Sequence, residues 1–272
     1  MSKEEKQIDY TQKGFTKPKE HFIYRVKFTK GEEVKFIGHL DVMRLFQRAI
    51  KRAKLPVAYS KGFNPHQLLS FASPLTLGAT SEGEYGDFEM AEKIEPEDIT
   101  KKLNQTLPRG VKVLRTVLIT KKIQSAMADI DGAKYMVYAD KQITPLILKE
   151  KLQPYLNQKE ILVMKKTKKN EKITDIKQDI FAMEDKSQCN ETKIYLYLAA
   201  GSRRNLKPQA VIESFYQFVG VPFDKYAIKY HRIDLLRTQE GKGLVGLSEG
   251  IGICHLSEAE KDLEEKNEQS ID

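Results

Sequence analysis

The residues best equipped for chemistry lie between Phe36 and Asp87. His39 and His66 stand there among Asp41, Glu82, Glu84 and Asp87. Imidazole can carry protons near neutral pH or, with carboxylates, ligate a metal. The spacing of these residues follows no zinc pattern, and no metal is expected in this chain. A histidine at a helix start, as at His39, also serves as a structural cap. Tyr59, Phe63, Phe71 and Tyr85 lie close in sequence to Arg48, Arg52 and Lys61. Aromatic faces beside cations are a means of holding single-stranded RNA. Phe71 also suits the core, whereas Phe63 follows a glycine turn and reads as exposed.

Two elements must position these side chains. The first is the bend Tyr59-Ser-Lys-Gly-Phe-Asn-Pro-His66, continuing to Phe71. Gly62 can take φ > 0 without steric cost, and Pro65 pushes Asn64 toward extended geometry. The second is a helix over Leu40–Lys54, stopped by Pro56. Its apolar stripe is Val42, Leu45, Phe46, Ala49, Ile50 and Ala53. Its other face gathers Arg44, Gln47, Arg48, Lys51 and Arg52, and Asp41 in its first turn suits the helix dipole. Arg44, Arg48, Lys51, Arg52 and Lys61 are placed to hold phosphates. Tyr59, Phe63, Asn64 and His66 are placed to contact a base or a protein partner.

Composition narrows the class. With 272 residues, 40% hydrophobic and 31% charged, the chain can bury a core as one large domain or two ordinary ones. No apolar run approaches the roughly 18 residues that span a bilayer, so no membrane partner is expected. Met1–Glu20 is polar with no apolar signal region, and a cytoplasmic location follows. Cys189 and Cys254, the 2 cysteines, read as reduced thiols. They cannot supply the several thiolates of an iron–sulfur cluster. The net charge is +8; Ser257–Asp272 holds seven acids against two lysines, a net of −5, which leaves +13 on residues 1–256. A body that basic points to a polyanion, most often nucleic acid.

Period and punctuation give the fold class. Residues 1–20 read as a disordered tail. Phe22, Tyr24, Val26 and Phe28 alternate with Ile23, Arg25 and Lys27 as a half-buried strand. Short extended pieces at Leu55–Tyr59 and Leu68–Phe71, a strand over Glu84–Met90, a helix opened by Glu95-Pro-Glu-Asp98 and a strand from Val111 to Ile119 complete a first unit, 21–123. After a link at Gln124–Gly132 the pattern recurs over 133–238, with Thr144-Pro145 and Pro208 opening helices. The expected architecture is α+β: two tandem ferredoxin-like βαββαβ halves with antiparallel sheets. Glu171–Asn190 is not placed by this pattern. From Gln239 to Asp272 the chain loses its period, becomes Gly-rich and ends in an acidic, unstructured tail.

Three further runs carry weaker signals. Gly241-Lys-Gly-Leu-Val-Gly246 has the spacing of a dinucleotide fingerprint, but glycines rather than a helix follow it. Lys165-Lys-Thr-Lys-Lys169 is a basic turn. Arg203 and Arg204, in Gly201–Asn205, precede a helix N-terminus suited to anions.

Phe36-Ile-Gly-His-Leu-Asp-Val-Met-Arg44, Arg48-Ala-Ile-Lys-Arg-Ala53, Leu55-Pro56, Tyr59–His66, Ser70-Phe-Ala72 and Ser81-Glu-Gly-Glu-Tyr85 with Asp87 resemble a bacterial family of unknown function, the radical-SAM-linked (radical-SAM-associated) proteins. The resemblance covers roughly Phe22–Leu236, with Gln67 where the family pattern usually has proline. It implies a partner: a radical-SAM enzyme holding the iron–sulfur cluster and S-adenosylmethionine, with cobalamin in its cobalamin-type domain. No cofactor is expected in this chain, which is read as an accessory protein rather than an enzyme. The expected function is to present ribosomal or transfer RNA to that enzyme. Two rivals stand beside it. One is a metal-independent endoribonuclease similar to CRISPR-RNA-processing enzymes, with His39 as acid or base and Lys61 stabilising the phosphorane. The other is a protein–protein adaptor without RNA contact.

Overall fold

Alternation from residue 22 becomes β1 (Phe22–Lys30). In the computed structural model, which describes residues 21–166, 171–189, 191–260 and 262–263, Tyr24, Val26 and Phe28 enter the first core cluster. The amphipathic stripe becomes α1 (His39–Arg52), with Val42, Phe46, Ala49 and Ile50 buried. Its end is sharper than Pro56 alone requires: Lys54 adopts a left-handed φ of 51° and the Leu55 amide closes back on Ile50. The short β2 (Leu69–Phe71) and the long β3 (Thr80–Met90) follow. Next come α2 (Pro96–Thr106), with proline and acids in its first turn, and β4 (Val113–Ile119).

The second half begins with β5 (Gly132–Tyr138) and α3 (Pro145–Leu156), whose Thr144 hydroxyl accepts from the Ile147 amide. Strand β6 (Leu162–Lys166) follows, and the stretch the pattern left unplaced, Glu171–Asn190, holds its hairpin partner β7 (Glu171–Asp175) and the strand β8 (Ile180–Asp185). Strand β9 (Lys193–Ala199) leads to α4 (Pro208–Val219), closed by Gly220 at φ 85°. Strand β10 (Lys229–Gln239) is followed by β11 (Gly243–Gly246) and β12 (Gly252–Leu256). The glycine fingerprint therefore lies on the β10–β11 hairpin and runs into strands, which is no dinucleotide cradle. The 1–20 tail, residues 167–169 of the basic turn and residues 264–272 of the acidic end lie outside the described residues.

The result is an α+β fold on one mostly antiparallel sheet, in the order β12-β4-β1-β3-β10-β5-β9-β8, with β2 on β3, β11 on β10, and β6–β7 apart. The halves share this sheet through a short parallel contact, Thr80 and Ser81 of β3 with His231 and Arg232 of β10. Gly83 makes the contact possible. A Cβ there would lie 2.4 Å from the Asp234 Cα, so the strands could not close on any larger residue. Among the described residues no helix is long and apolar enough to cross a membrane.

Two core clusters sit beneath the helix pairs. The other side of β1 is held by charge. Arg25 is wholly buried and every donor is engaged. Its Nε and one Nη donate to Asp87 at 2.8 and 3.1 Å, and the remaining bonds reach Asp129, the Leu247 carbonyl and the Gln124 carbonyl at 3.2, 3.0 and 2.9 Å. The expected link at Gln124–Gly132 is thus fastened to the sheet, with Ala126 in the core. Two strand residues away, Lys27 pairs with Glu260 at 2.9 Å, and Arg115 joins the same carboxylate at 3.2 Å. The tail expected to be unstructured therefore begins with β12 in the sheet and a buried acid. Lone cations on a sheet need a partner once water is excluded.

Removing one member of a buried ion pair strands the rest, so Arg25→Ala is expected to cost about 3–5 kcal/mol. Urea titration checks this, and adding Asp87→Ala should cost less than the two single losses together. In the second core Tyr155 bonds Ser214 at 2.6 Å, and burial pushes its hydroxyl, like that of Tyr195, from 10.0 up to about 12. Folding holds these groups protonated, so the stability they contribute is complete below pH 10.0 and lost as pH rises through about 12. Absorbance titration should show tyrosines ionising late in the native chain and near their ordinary value in urea.

Candidate nucleic-acid interface

A bend that points outward must satisfy its own backbone. Here the Ser60 amide donates to the His66 carbonyl at 2.8 Å, and the His66 amide donates to the Ser60 hydroxyl at 3.0 Å. That hydroxyl also meets His66 Nδ1 at 2.8 Å, and Tyr59 bridges Gln67 across the base. Gly62 supplies the left-handed step at φ 121°. The closure leaves side chains free at the tip. Phe63 is 106% exposed, Tyr59 51%, and Lys61, Asn64 and His66 are exposed with them.

Gln67 ties this bend to α1, its amide reaching the Gln47 carbonyl and the Tyr59 hydroxyl, each at 3.4 Å. Gln47 lies within one helical turn of Arg44, Arg48 and Lys51, all exposed, with Arg52 next along. Arg44 is partly spent on Asp41 at 3.2 Å and Arg52 donates to the Thr106 carbonyl at 2.7 Å. Bend and cationic face adjoin each other.

Behind the bend a cleft of about 660 Å³ opens between the chain at His66–Ser70 and the segment Leu118–Ser125. That volume is ordinary for a small-molecule or nucleotide-sized site. His21 pairs with Glu89 at 3.0 Å on its wall, and Lys121 and Lys122 stand opposite. Asp87 reaches the cleft, but its carboxylate accepts from Arg25 and from the Ala126 amide at 2.6 Å, so it is no free base. His21, Glu89, Lys121 and Lys122 were missed by sequence reasoning; the only signal was the lysine pair directly after a strand.

The remaining expected residues fall elsewhere. His39 packs edge-on to Phe71 at 6.0 Å and lines a small hollow with Lys30 and Glu84. Burial lifts the Glu84 carboxyl above its ordinary value, with Arg232 opposing the shift, and lowers Lys30. Lys61 stands on the exposed bend, outside this hollow. Arg203 and Arg204 are exposed on the loop before α4, Arg204 pairing with Asp179 at 3.4 Å. Two aromatics leave the stacking set. Phe71 sits in the core against Phe28, Phe46 and Phe88. Tyr85 is 2% exposed and donates to Asp234 at 2.6 Å, because alternation along β3 turns it away from α1.

Comparison with known proteins gives three findings. A family described as uncharacterized protein conserved in bacteria (DUF2344) matches residues 23–208. No curated protein matches the chain. A crystal structure of an unknown protein from Galdieria sulphuraria is similar to 83% of this chain and 99% of its own, at 11% identity and a TM-score of 0.23.

Because the Phe63 ring touches so little, Phe63→Ala is expected to change stability by no more than about 0.5 kcal/mol. Thermal melting of the variant checks this, and a larger loss would mean that the ring is packed.

Proposed function

The chain belongs to this family of conserved bacterial proteins, and we propose that it works in the cytoplasm as an RNA-binding accessory to a radical-SAM modifying enzyme. The observation that carries the reading is an exposed aromatic bend fastened beside a row of exposed cations, on a body of net +13. Arg44, Arg48, Lys51, Arg52 and Lys61 hold phosphates, while Tyr59 and Phe63 stack and Asn64 and His66 bond a base. Stacking tolerates any base, so such a surface grips single-stranded segments of a folded RNA. Arg203 and Arg204 extend the cationic surface on the second half. We also read the two halves as tandem ferredoxin-like units. The orders β4-β1-β3-β2 and β10-β5-β9-β8, each with two helices packed on the sheet, support that reading.

The link to a radical-SAM enzyme rests on the resemblance carried by Phe36–Asp87, and on chemistry this chain does not supply. Its 2 cysteines are distant single thiols, both exposed, so the iron–sulfur cluster and S-adenosylmethionine belong to the partner.

Binding of a fluorescent single-stranded RNA, titrated across salt, tests the RNA reading. Affinity is expected to fall with ionic strength, and Arg48→Ala should reduce the salt slope by about 1. Phe63→Ala should weaken binding by about 1–3 kcal/mol with the slope kept. Binding indifferent to salt would overturn the reading. RNA incubated with the protein in EDTA is expected to stay intact; cleavage lost in His39→Ala would instead favour the endoribonuclease.

A further inference from the structure

The seam between the halves holds a second site, remote in character from the bend. A cavity of about 130 Å³ lies where Ser73–Thr76, β10 and the start of α4 meet. Its walls include Tyr230 and Arg232, and Lys207 stands at its rim. Arg232 is only 4% exposed. One of its Nη atoms bonds Glu84 at 3.0 Å and the other donates to the Pro74 carbonyl at 3.1 Å. Its Nε, and the buried Tyr230 hydroxyl, make no hydrogen bond among the described residues; the Tyr135 side chain, also on the cavity wall, lies against the guanidinium with its ring centroid 5.8 Å away. Buried donors of this kind are costly to leave unmade.

Two further observations point the same way. Helix α4 is twelve residues long, and its N-cap, Lys207, makes no side-chain capping bond. Its open end meets the cavity at Pro208 and Gln209; Pro208 carries no N–H, so the Gln209 amide, at the positive end of the helix dipole, is the donor offered there. Lys30 and Arg232, both 4% exposed, also act on a single buried carboxylate, Glu84. Lys30 and Glu84 line the hollow behind the wall formed by Ser73 and Leu75, and Arg232 lines the cavity in front of it.

We propose that this inter-half cavity binds a small oxyanion, a carboxylate or phosphate group, held by Arg232 Nε, the Tyr230 hydroxyl and the first turn of α4. The apolar part of the lining, Pro74, Leu75, Leu206 and Leu235, accommodates the short body that carries the anion. Because the site takes one residue segment from the first half and two elements from the second, its occupation braces the seam at β3 and β10. Glu213, further along α4, bears on the Tyr230 hydroxyl electrostatically and opposes an anion there.

Isothermal titration calorimetry of the full chain with inorganic phosphate, and separately with acetate, tests this, chloride holding the ionic strength constant. Saturable 1:1 heat with phosphate identifies a phosphate site, and with acetate alone a carboxylate site; either supports the proposal. Tyr230→Phe, which removes only an unpaired hydroxyl, is expected to weaken binding roughly tenfold. Lys207→Ala should weaken it less, Glu213→Gln should strengthen it, and Lys149→Ala, on the exposed side of α3, should leave it unchanged. Heats no larger than chloride dilution with both probes would overturn the proposal. So would unchanged affinity in both Tyr230→Phe and Lys207→Ala.

Discussion

A guanidinium with no access to water must place every N–H on an acceptor, and Arg25 does so by drawing three separate stretches of chain onto β1. Asp87 of β3, Gln124 and Asp129 beyond β4, and the Leu247 turn all converge on it. The cost of desolvating this charge is recovered only when all of them are present. That makes the arrangement all-or-none. It also explains why the chain between the halves, which has the composition of a linker, is not slack. Its carbonyl and its carboxylate are partners the buried cation requires.

The consequences reach the candidate interface. With Asp87 committed to Arg25 and to the Ala126 amide, the charge at the cleft floor is paired, and the cleft's chemistry is left to His21, His66, Glu89, Lys121 and Lys122 on the walls. The bend beside it stays outside the core because it closes its own hydrogen bonds through Ser60 and His66. A loop that satisfies its own backbone can project a large aromatic without unravelling. Phe63 is therefore presented by geometry rather than held by packing.

The sheet has two characters on its two sides. Toward the helices it is an ordinary packed interior, with Phe28, Phe46, Phe71 and Phe88 meeting edge to face. On the other side Arg25, Lys27 and Tyr85 are covered by polar partners brought from afar, among them Asp234 and Glu260. The parallel contact of β3 with β10 runs between these worlds, and it places Glu84 and Arg232 beside each other at the seam. Charge that reads in sequence as a solvated or nucleic-acid-binding surface is thus divided in space. Arg25, Lys27, Lys30 and Arg232 serve the interior, and Arg44, Arg48, Lys51 and Arg52 of α1 stay exposed.

Local signals sufficed for what depends on neighbours in sequence. The apolar stripe Val42–Ala53, the proline openings of α2, α3 and α4, the strand alternation and the exposed glycine–proline bend were all legible, because period, φ restriction and turn chemistry act over a few residues. The candidate surface of α1 and the bend was legible for the same reason. Tertiary structure alone decided the rest. The burial of Tyr85 depends on which side of β3 meets Asp234, and the ordered Glu260 depends on cations more than a hundred residues away. The joining of the halves depends on Gly83 meeting β10, and the cleft depends on Lys121 and Lys122 folding opposite His66. Long-range pairing is chosen by the desolvation of charge and the fit of backbones in three dimensions, and neither leaves a period along the chain.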